Sequence, residues 1–318
     1  MPQSERRYFI LDVFTDEALA GNPLAVVLDT DGLDDTQRQK IAREFGLSET
    51  VFVEAAQKPS HNAALRIFTP TCELPFAGHP TVGAAVLLGM QRFPKLERTM
   101  DCVMMLEEKI GIVRARVKLF AENANGHSNG GGAGGGEAVF DVPSLSKPFA
   151  VQLGSKDEIA AALGLHIKDI GFENHVPTAY SAGVPFAMIP IRDMEAIARA
   201  RPVLPSWNTA FGAHHHNDAY LYTRETVRHT SSFHARMFAP TMGIMEDPAT
   251  GSAAAAFAGC ICQFDQPGKG THSYIIEQGF EMGRSSLINL DIEVADGRLA
   301  AERVGGKAVI VASGTLYI

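Results

Sequence analysis

A chain of 318 residues that is 46% apolar can bury a large core, and its length favours two domains over one. The net charge is −8 and the Lys and Arg residues are scattered, so no basic stripe exists to track a phosphate backbone. The first residues, MPQSERRYFILDVF, place charges before a short apolar run that Asp12 interrupts, which fits neither a secretory leader nor a membrane span and implies a cytoplasmic protein.

Alternating apolar positions predict strands at 8–14 and 24–28, separated by a loop carrying Gly21, Asn22 and Pro23. A helix follows at 34–45, with Asp34 able to cap it and Gly46 supplying its stop. The segment ETVFVE, 49–54, alternates as another strand, so Glu49 sits where a loop enters a strand. A further strand at 63–68 runs through Thr69 and Pro70 into a loop. Pro80 then opens TVGAAVLLGM, a nearly all-apolar stretch that reads as a helix buried inside its domain, with proline at the first helical position.

Short alternating segments (VMMLEE, IVRARVKLF) precede a glycine-rich run, read over 126–136 as a surface loop or linker. It divides an N-terminal half, 1–125, from a C-terminal half, 137–318, whose last strand can return to the first half.

The second half repeats a pattern of the first. Arg66-Ile67-Phe68-Thr69-Pro70 leads to His79-Pro80-Thr81-Val82-Gly83-Ala84-Ala85. Arg236-Met237-Phe238-Ala239-Pro240 leads to Asp247-Pro248-Ala249-Thr250-Gly251-Ser252-Ala253. The spacing between the two motifs differs by two residues, and duplication into two pseudo-symmetric domains is the economical explanation.

In each copy a helix opens just after a polar residue and a proline, with its free N–H groups available to an anion. Gly251 and Ser252 leave amides uncovered and add a hydroxyl, which suits a carboxylate; Gly78 and Gly83 allow similar access in the first copy. Were the halves to face each other, His79 and Asp247 would stand at the mouth of a carboxylate-binding, proton-handling pocket whose donors also stabilise an enolate, with no metal or cofactor required. Taken singly, Asp247 reads more readily as a helix cap, His79 as a satisfied loop histidine and Glu49 as solvated surface. These patterns alone do not choose the base.

The blocks GNPLAVV (21–27), LSETVFV (47–53), RIFTP (66–70), ELPFAGHPTVGAA (73–85), RMFAP (236–240), EDPATGSA (246–253) and EQGFEMGR (277–284) run in series over most of the chain. Together they resemble the PhzF-like isomerase family, whose fold is that of diaminopimelate epimerase. The resemblance implies an α+β fold of two similar domains, each a curved, mostly antiparallel sheet or barrel around a central helix, with the active site between them.

It further implies that Glu49 is a single acid/base moving a proton between carbons of a small carboxylate-bearing substrate, with His79 and Asp247 in the catalytic set. Asn22, Gly78, Gly251 and Ser252 are then candidate substrate contacts, and a homodimer is the implied assembly. A carboxyl that accepts and returns a proton works best with a pKa nearer neutrality than a free glutamate's, which burial would supply.

Two other readings compete. A thiol-dependent racemase or epimerase needs a cysteine from each half, yet no cysteine lies at either helix entry, and Cys72, Cys260 and Cys262 read as structural. A non-catalytic carboxylate-binding or regulatory protein could keep the same pocket. The run His214-His215-His216 reads as a surface loop rather than a metal site, because consecutive side chains diverge.

Overall fold

The computed structural model describes residues 5–121, 135–212 and 217–318, so His214, His215 and His216 and the glycine-rich run up to 134 lie outside the described residues. The chain divides into two compact units, Met1–Pro143 with Gly305–Ile318, and Ser144–Val304. The first division thus falls after Pro143 rather than in the glycine-rich run. Gly135–Asp141 forms a strand against Gly111–Phe120, which ties residues just past that run to the first unit.

The first unit contains β1 (Glu5–Val13), β2 (Asn22–Val27), α1 (Asp35–Phe45), β3 (Glu49–Glu54), β4 (Ala63–Phe68), β5 (Glu73–Leu74), α2 (Gly78–Arg92), β6 (Met100–Glu108), β7 (Gly111–Phe120) and β8 (Gly135–Asp141). Pairing runs antiparallel from β1 to β2, parallel to β3, antiparallel to β4, parallel to β6, then antiparallel through β7 to β8. The end of the chain pairs with both β8 and β1, closing these strands into a barrel.

Helix α2 is the barrel's filling, buried from Gly78 to Leu87. Its small residues let it fit: a Cβ on Gly83 would fall 2.6 Å from Leu24 Cδ2 and 2.8 Å from Val13 Cγ2. Outside the barrel, α1 packs Ile41 and Ala42 on Phe52 and Phe68. As its sequence predicts, α1 is capped by Asp34, whose carboxylate accepts from Gln37 N, and it ends on left-handed Gly46.

The second unit contains β9 (Lys147–Pro148), α3 (Lys156–Leu163), β10 (Thr178–Ser181), β11 (Pro185–Pro190), α4 (Met194–Arg199), α5 (Leu204–Phe211), β12 (Ala219–Thr223), β13 (Phe233–Ala239), β14 (Ile244–Asp247), α6 (Gly251–Phe264), β15 (Gly270–Gln278) and β16 (Ser286–Ala295). The final strand, β17 (Arg298–Tyr317), begins here and passes into the first unit at Gly305. Helix α6 is buried from Ala253 to Ile261, and α3, α4 and α5 cover the opposite face of the sheet through Ile159, Ile197, Trp207 and Phe211.

The register extends the repeat well beyond its motif. The parallel pair β2–β3 aligns Ala25 with Thr50, and β11–β12 aligns Ala187 with Ala219. Thr50 then faces Phe68 across β4, as Ala219 faces Phe238 across β13. Gly21-Asn22-Pro23-Leu24-Ala25 is therefore matched by Gly183-Val184-Pro185-Phe186-Ala187. Arg66 forks onto Glu73 and lies over Phe68, while Arg236 forks onto Glu246 and lies over Phe238. Glu107 accepts the backbone N–H groups of Gln57 and Lys58, and Glu277 those of Val227 and Arg228. Equivalent partly buried ion pairs and turn locks, kept at equivalent register, make duplication of one ancestral unit the direct explanation.

Candidate functional site

The two copies open their helices differently. In the first unit α2 begins at Gly78, so His79 is its second residue and Pro80 its third rather than its first. Proline is tolerated there because N–H groups of the first turn have no intrahelical acceptor. In the second unit Pro248 stays outside the helix, α6 begins at Gly251, and Asp247 is the last residue of β14. Asp247 is accordingly not the helix cap; that position is held by Thr250.

The first unit brings three predicted residues together. Glu49 opens β3 opposite Leu24 of β2, and its Oε2 lies 3.4 Å from His79 Nε2. On the other side of the imidazole, Asn22 Nδ2 lies 3.4 Å from His79 Nδ1. Asn22 is fully buried at the start of β2, behind the histidine, so the structure places it against His79 rather than on an open surface.

An amide nitrogen can only donate, so Asn22 leaves Nδ1 as the acceptor and puts the imidazole proton on Nε2, facing Glu49. His79 is 4% exposed, and burial pushes its pKa down to about 3 despite the nearby carboxyl, which keeps the ring neutral at physiological pH. A neutral donor with a fixed tautomer therefore stands beside a carboxyl at the head of a buried helix. At 3.4 Å this is a close approach rather than a formed hydrogen bond, and a short movement of either side chain would close it.

The second unit clamps the approach to α6. Thr250 Oγ1 donates to Asp247 Oδ2 at 2.6 Å, and Gln278 Oε1 accepts from Thr250 N while Gln278 Nε2 donates to the Asp247 carbonyl at 2.8 Å. Ser286 Oγ donates to the Pro248 carbonyl. Gly279 holds φ +78°, and a Cβ there would fall 2.5 Å from the carbonyl oxygens of both Pro248 and Arg284. These contacts fix the loop that presents Gly251, buried in the first turn, and Ser252, partly open beside it.

Gln278, Ser286 and Gly279 carry no recognisable signal of chemistry in the sequence. Two of them fall in or beside the EQGFEMGR block, and their role emerges only from contacts with a loop some thirty residues away. None of the cysteines opens either central helix: Cys260 lies deep in α6, and burial pushes its thiol up to about 12.

Comparison with known proteins adds an independent line. The family model described as phenazine biosynthesis-like protein matches residues 11–314. An uncharacterized isomerase of Mesorhizobium japonicum is 47% identical, covering 98% of this chain and 99% of its own. The trans-2,3-dihydro-3-hydroxyanthranilate isomerase of Pseudomonas chlororaphis is 33% identical over the same shares. Among solved structures, a phenazine biosynthesis protein of the PhzF family from Bacillus anthracis covers 99% of this chain and 100% of its own, with 24% identity and a TM-score of 0.82. A hydroxyproline epimerase from Agrobacterium vitis shares the fold at a TM-score of 0.64 and 11% identity, covering 99% of this chain and 93% of its own.

Proposed function

Because the chain belongs to the phenazine biosynthesis-like (PhzF) family of isomerases, we propose that it moves a proton between two carbons of a small carboxylate-bearing substrate with Glu49 as the single acid/base. The observation that carries this reading is the ordered series Asn22, His79, Glu49 at the head of α2. Glu49 as carboxylate takes a proton from a carbon beside an alkene or carbonyl. The electron pair left behind spreads into the conjugated system, and the protonated Glu49 returns the proton to a second carbon. Substrate and product are isomers, so no oxidant, reductant or co-substrate is consumed.

His79 Nε2–H steadies the carboxylate form of Glu49 without ionising itself. The amides at the start of α6, with Ser252, receive the substrate carboxylate and the charge that develops next to it, and Asp247 lies in the same clamped loop. The relatives named for trans-2,3-dihydro-3-hydroxyanthranilate make that compound the first substrate to try. By the same family resemblance we propose a homodimer, which light scattering at twice the chain mass would reveal.

The test is exchange in deuterated water. Wild type should incorporate deuterium into trans-2,3-dihydro-3-hydroxyanthranilate or another small unsaturated carboxylate, read by mass spectrometry. Glu49→Gln should lose that exchange by at least about 10³-fold while binding the same compound. Unchanged exchange in the variant removes Glu49 from the reaction, and binding without exchange by wild type across a broad panel points to a binding protein.

A further inference from the structure

We propose that Asp218 is a specificity-determining residue of the same reaction, the second unit's counterpart of Glu49, and that it receives the amino group of an amino-carboxylate substrate; this rests on the isomerase reading above.

The position follows from register. Thr50 and Ala219 are equivalent, each facing the aligned phenylalanine of the neighbouring strand, Phe68 or Phe238. The residue before each is Glu49 in one unit and Asp218 in the other.

The direction follows from alternation. Ala219 and Leu221 pack with Phe238 under the outer helices, as Phe52 and Phe68 pack under α1. The opposite face carries Tyr222, whose hydroxyl lies 3.3 Å from Cys260 Sγ and whose ring is 4.5 Å from that of Phe257, and Tyr220, whose ring is 5.9 Å from that of Phe257. Asp218 continues that face by one more step of the pleat. Moving from Tyr222 to Tyr220 shifts the contact toward the start of α6. The next two residues add about 7 Å of strand, the rise of four to five helical residues, which brings Asp218 level with the first turn at Gly251–Ala254.

The chemistry follows from what surrounds it. Asp218 is 2% exposed, and its side chain makes no hydrogen bond or ion pair with any described residue; its buried Oδ1 is unmet. Other buried carboxyls of this unit do have partners: Asp169 is paired with Arg192 and Arg199 and Glu277 with His234, while Glu302 and Asp247 accept hydrogen bonds from Ser146 N and Thr250 Oγ1. A buried carboxylate with no counter-charge costs several kcal/mol unless a proton or a cation meets it. Burial pushes Asp218 up to about 7, so the group is divided near neutrality between acid and carboxylate and responds to whichever ligand arrives. An ammonium beside it, with the substrate carboxylate at the adjacent helix start, balances both charges of one small molecule. Glu49, by contrast, already has His79 beside it.

The experiment is titration calorimetry on Glu49→Gln, expected to bind without turnover, using trans-2,3-dihydro-3-hydroxyanthranilate and its des-amino counterpart 2,3-dihydro-3-hydroxybenzoate of the same configuration at C3. The parent should prefer the amino ligand by about tenfold or more, the scale of one charge-assisted hydrogen bond. Adding Asp218→Asn or Asp218→Ser should bring the two affinities together by weakening the amino ligand alone. In the unsubstituted protein, carbon NMR should show the amino ligand, and not the des-amino one, lowering the titration midpoint of the Asp218 carboxyl, a readout that needs no folded variant. An unchanged preference, or an Asp218 midpoint indifferent to the amino ligand, overturns the assignment while leaving the isomerase reading intact. Failure of the parent to bind either compound, with no exchange by wild type on the wider panel, overturns both.

Discussion

His79 is held between two side chains of opposite demand: Asn22 Nδ2 lies 3.4 Å from its Nδ1, and Glu49 Oε2 lies 3.4 Å from its Nε2. The amide sets the tautomer, and the tautomer sets what Glu49 meets. Asn22→Asp should therefore do more harm than loss of a packing contact. A carboxylate at position 22 accepts from Nδ1–H, pulls the proton to that side and leaves a lone pair on Nε2 facing the Glu49 carboxylate. The expected result is a fall in kcat of about 10²-fold or more with KM changed far less. Nitrogen NMR of the His79 ring should show the tautomer inverted; a variant with full kcat and an inverted ring would show that the tautomer does not matter.

The neutral state of His79 has its own signature. Its folded pKa lies near 3 against an ordinary 6.5, so the unfolded chain binds a proton at pH values where the folded protein does not. The stability this confers is complete above pH 6.5 and is lost as pH falls toward 3, at up to about 1.4 kcal/mol per pH unit. His79→Gln, neutral at every pH, should flatten the acid limb of a denaturant-derived stability profile. Ring NMR signals of His79 should stay constant from pH 8 to pH 5; a midpoint near 6.5 would overturn the account.

Much of the fold was legible because local physics and tertiary structure agree. The strands at Glu49–Glu54 and Ala63–Phe68 carry clean alternation and have the predicted bounds, and Asp34 and Gly46 delimit α1 as their side-chain chemistry requires. The boundary between units escaped because β8 begins within the glycine-rich run, where composition signals a loop but pairing with β7 wins. Motif resemblance nominated Glu49, His79, Asn22, Asp247 and the α6 start as candidates, but gave no sign that Asn22, His79 and Glu49 lie side by side. Asn22 and His79 are 57 residues apart in the chain, and the pairing that makes one orient the other exists only after β2 and α2 pack. Asp218 was invisible for the same reason: it falls outside both copies of the repeated motif, and only strand register reveals its equivalence to Glu49.

Glu108 ends β6 where Gln278 ends β15, and it accepts a 2.8 Å hydrogen bond from Thr81 in the first turn of α2. Burial pushes its pKa from 4.5 to about 8. The folded protein keeps this proton where the unfolded chain has lost it, so its contribution is full below pH 4.5 and declines as pH rises to about 8. Glu108→Gln, the residue that the second unit already uses, should remove that decline and raise the melting temperature most at pH 8. Equal melting gains at pH 5 and pH 8 would assign the effect to packing instead.

Thiol chemistry is separable from carboxyl chemistry by alkylation. Cys72 is exposed, and the Cys260 thiol is buried and held up at about 12, far from the thiolate needed by a racemase. Iodoacetamide at pH 7.5 should modify Cys72 and leave the exchange rate within about twofold of the untreated protein, since a thiol outside the reacting pair contributes no proton. Loss of exchange in step with modification of any one cysteine would reinstate a thiol mechanism.

The clamp on the α6 approach predicts a split between binding and chemistry. Gln278 holds the Asp247 carbonyl and the Thr250 N–H and hydroxyl, all in the loop that presents Gly251 and Ser252. Gln278→Ala leaves those buried groups without their partner, at a cost of about 1–3 kcal/mol in stability. With the amides of the first turn no longer fixed, KM should rise by about tenfold, the worth of one lost charge-assisted contact, while kcat changes less because Glu49 and His79 are untouched. Gly279→Ala strikes the same loop through the backbone. Its φ of +78° and the carbonyls of Pro248 and Arg284 leave no room for a Cβ, so it should destabilise more than Gln278→Ala, by about 3 kcal/mol. Steady-state kinetics alongside urea denaturation check both. A Gln278→Ala protein with kcat lowered and KM unchanged would show that the loop serves the proton transfer itself rather than the grip on the carboxylate.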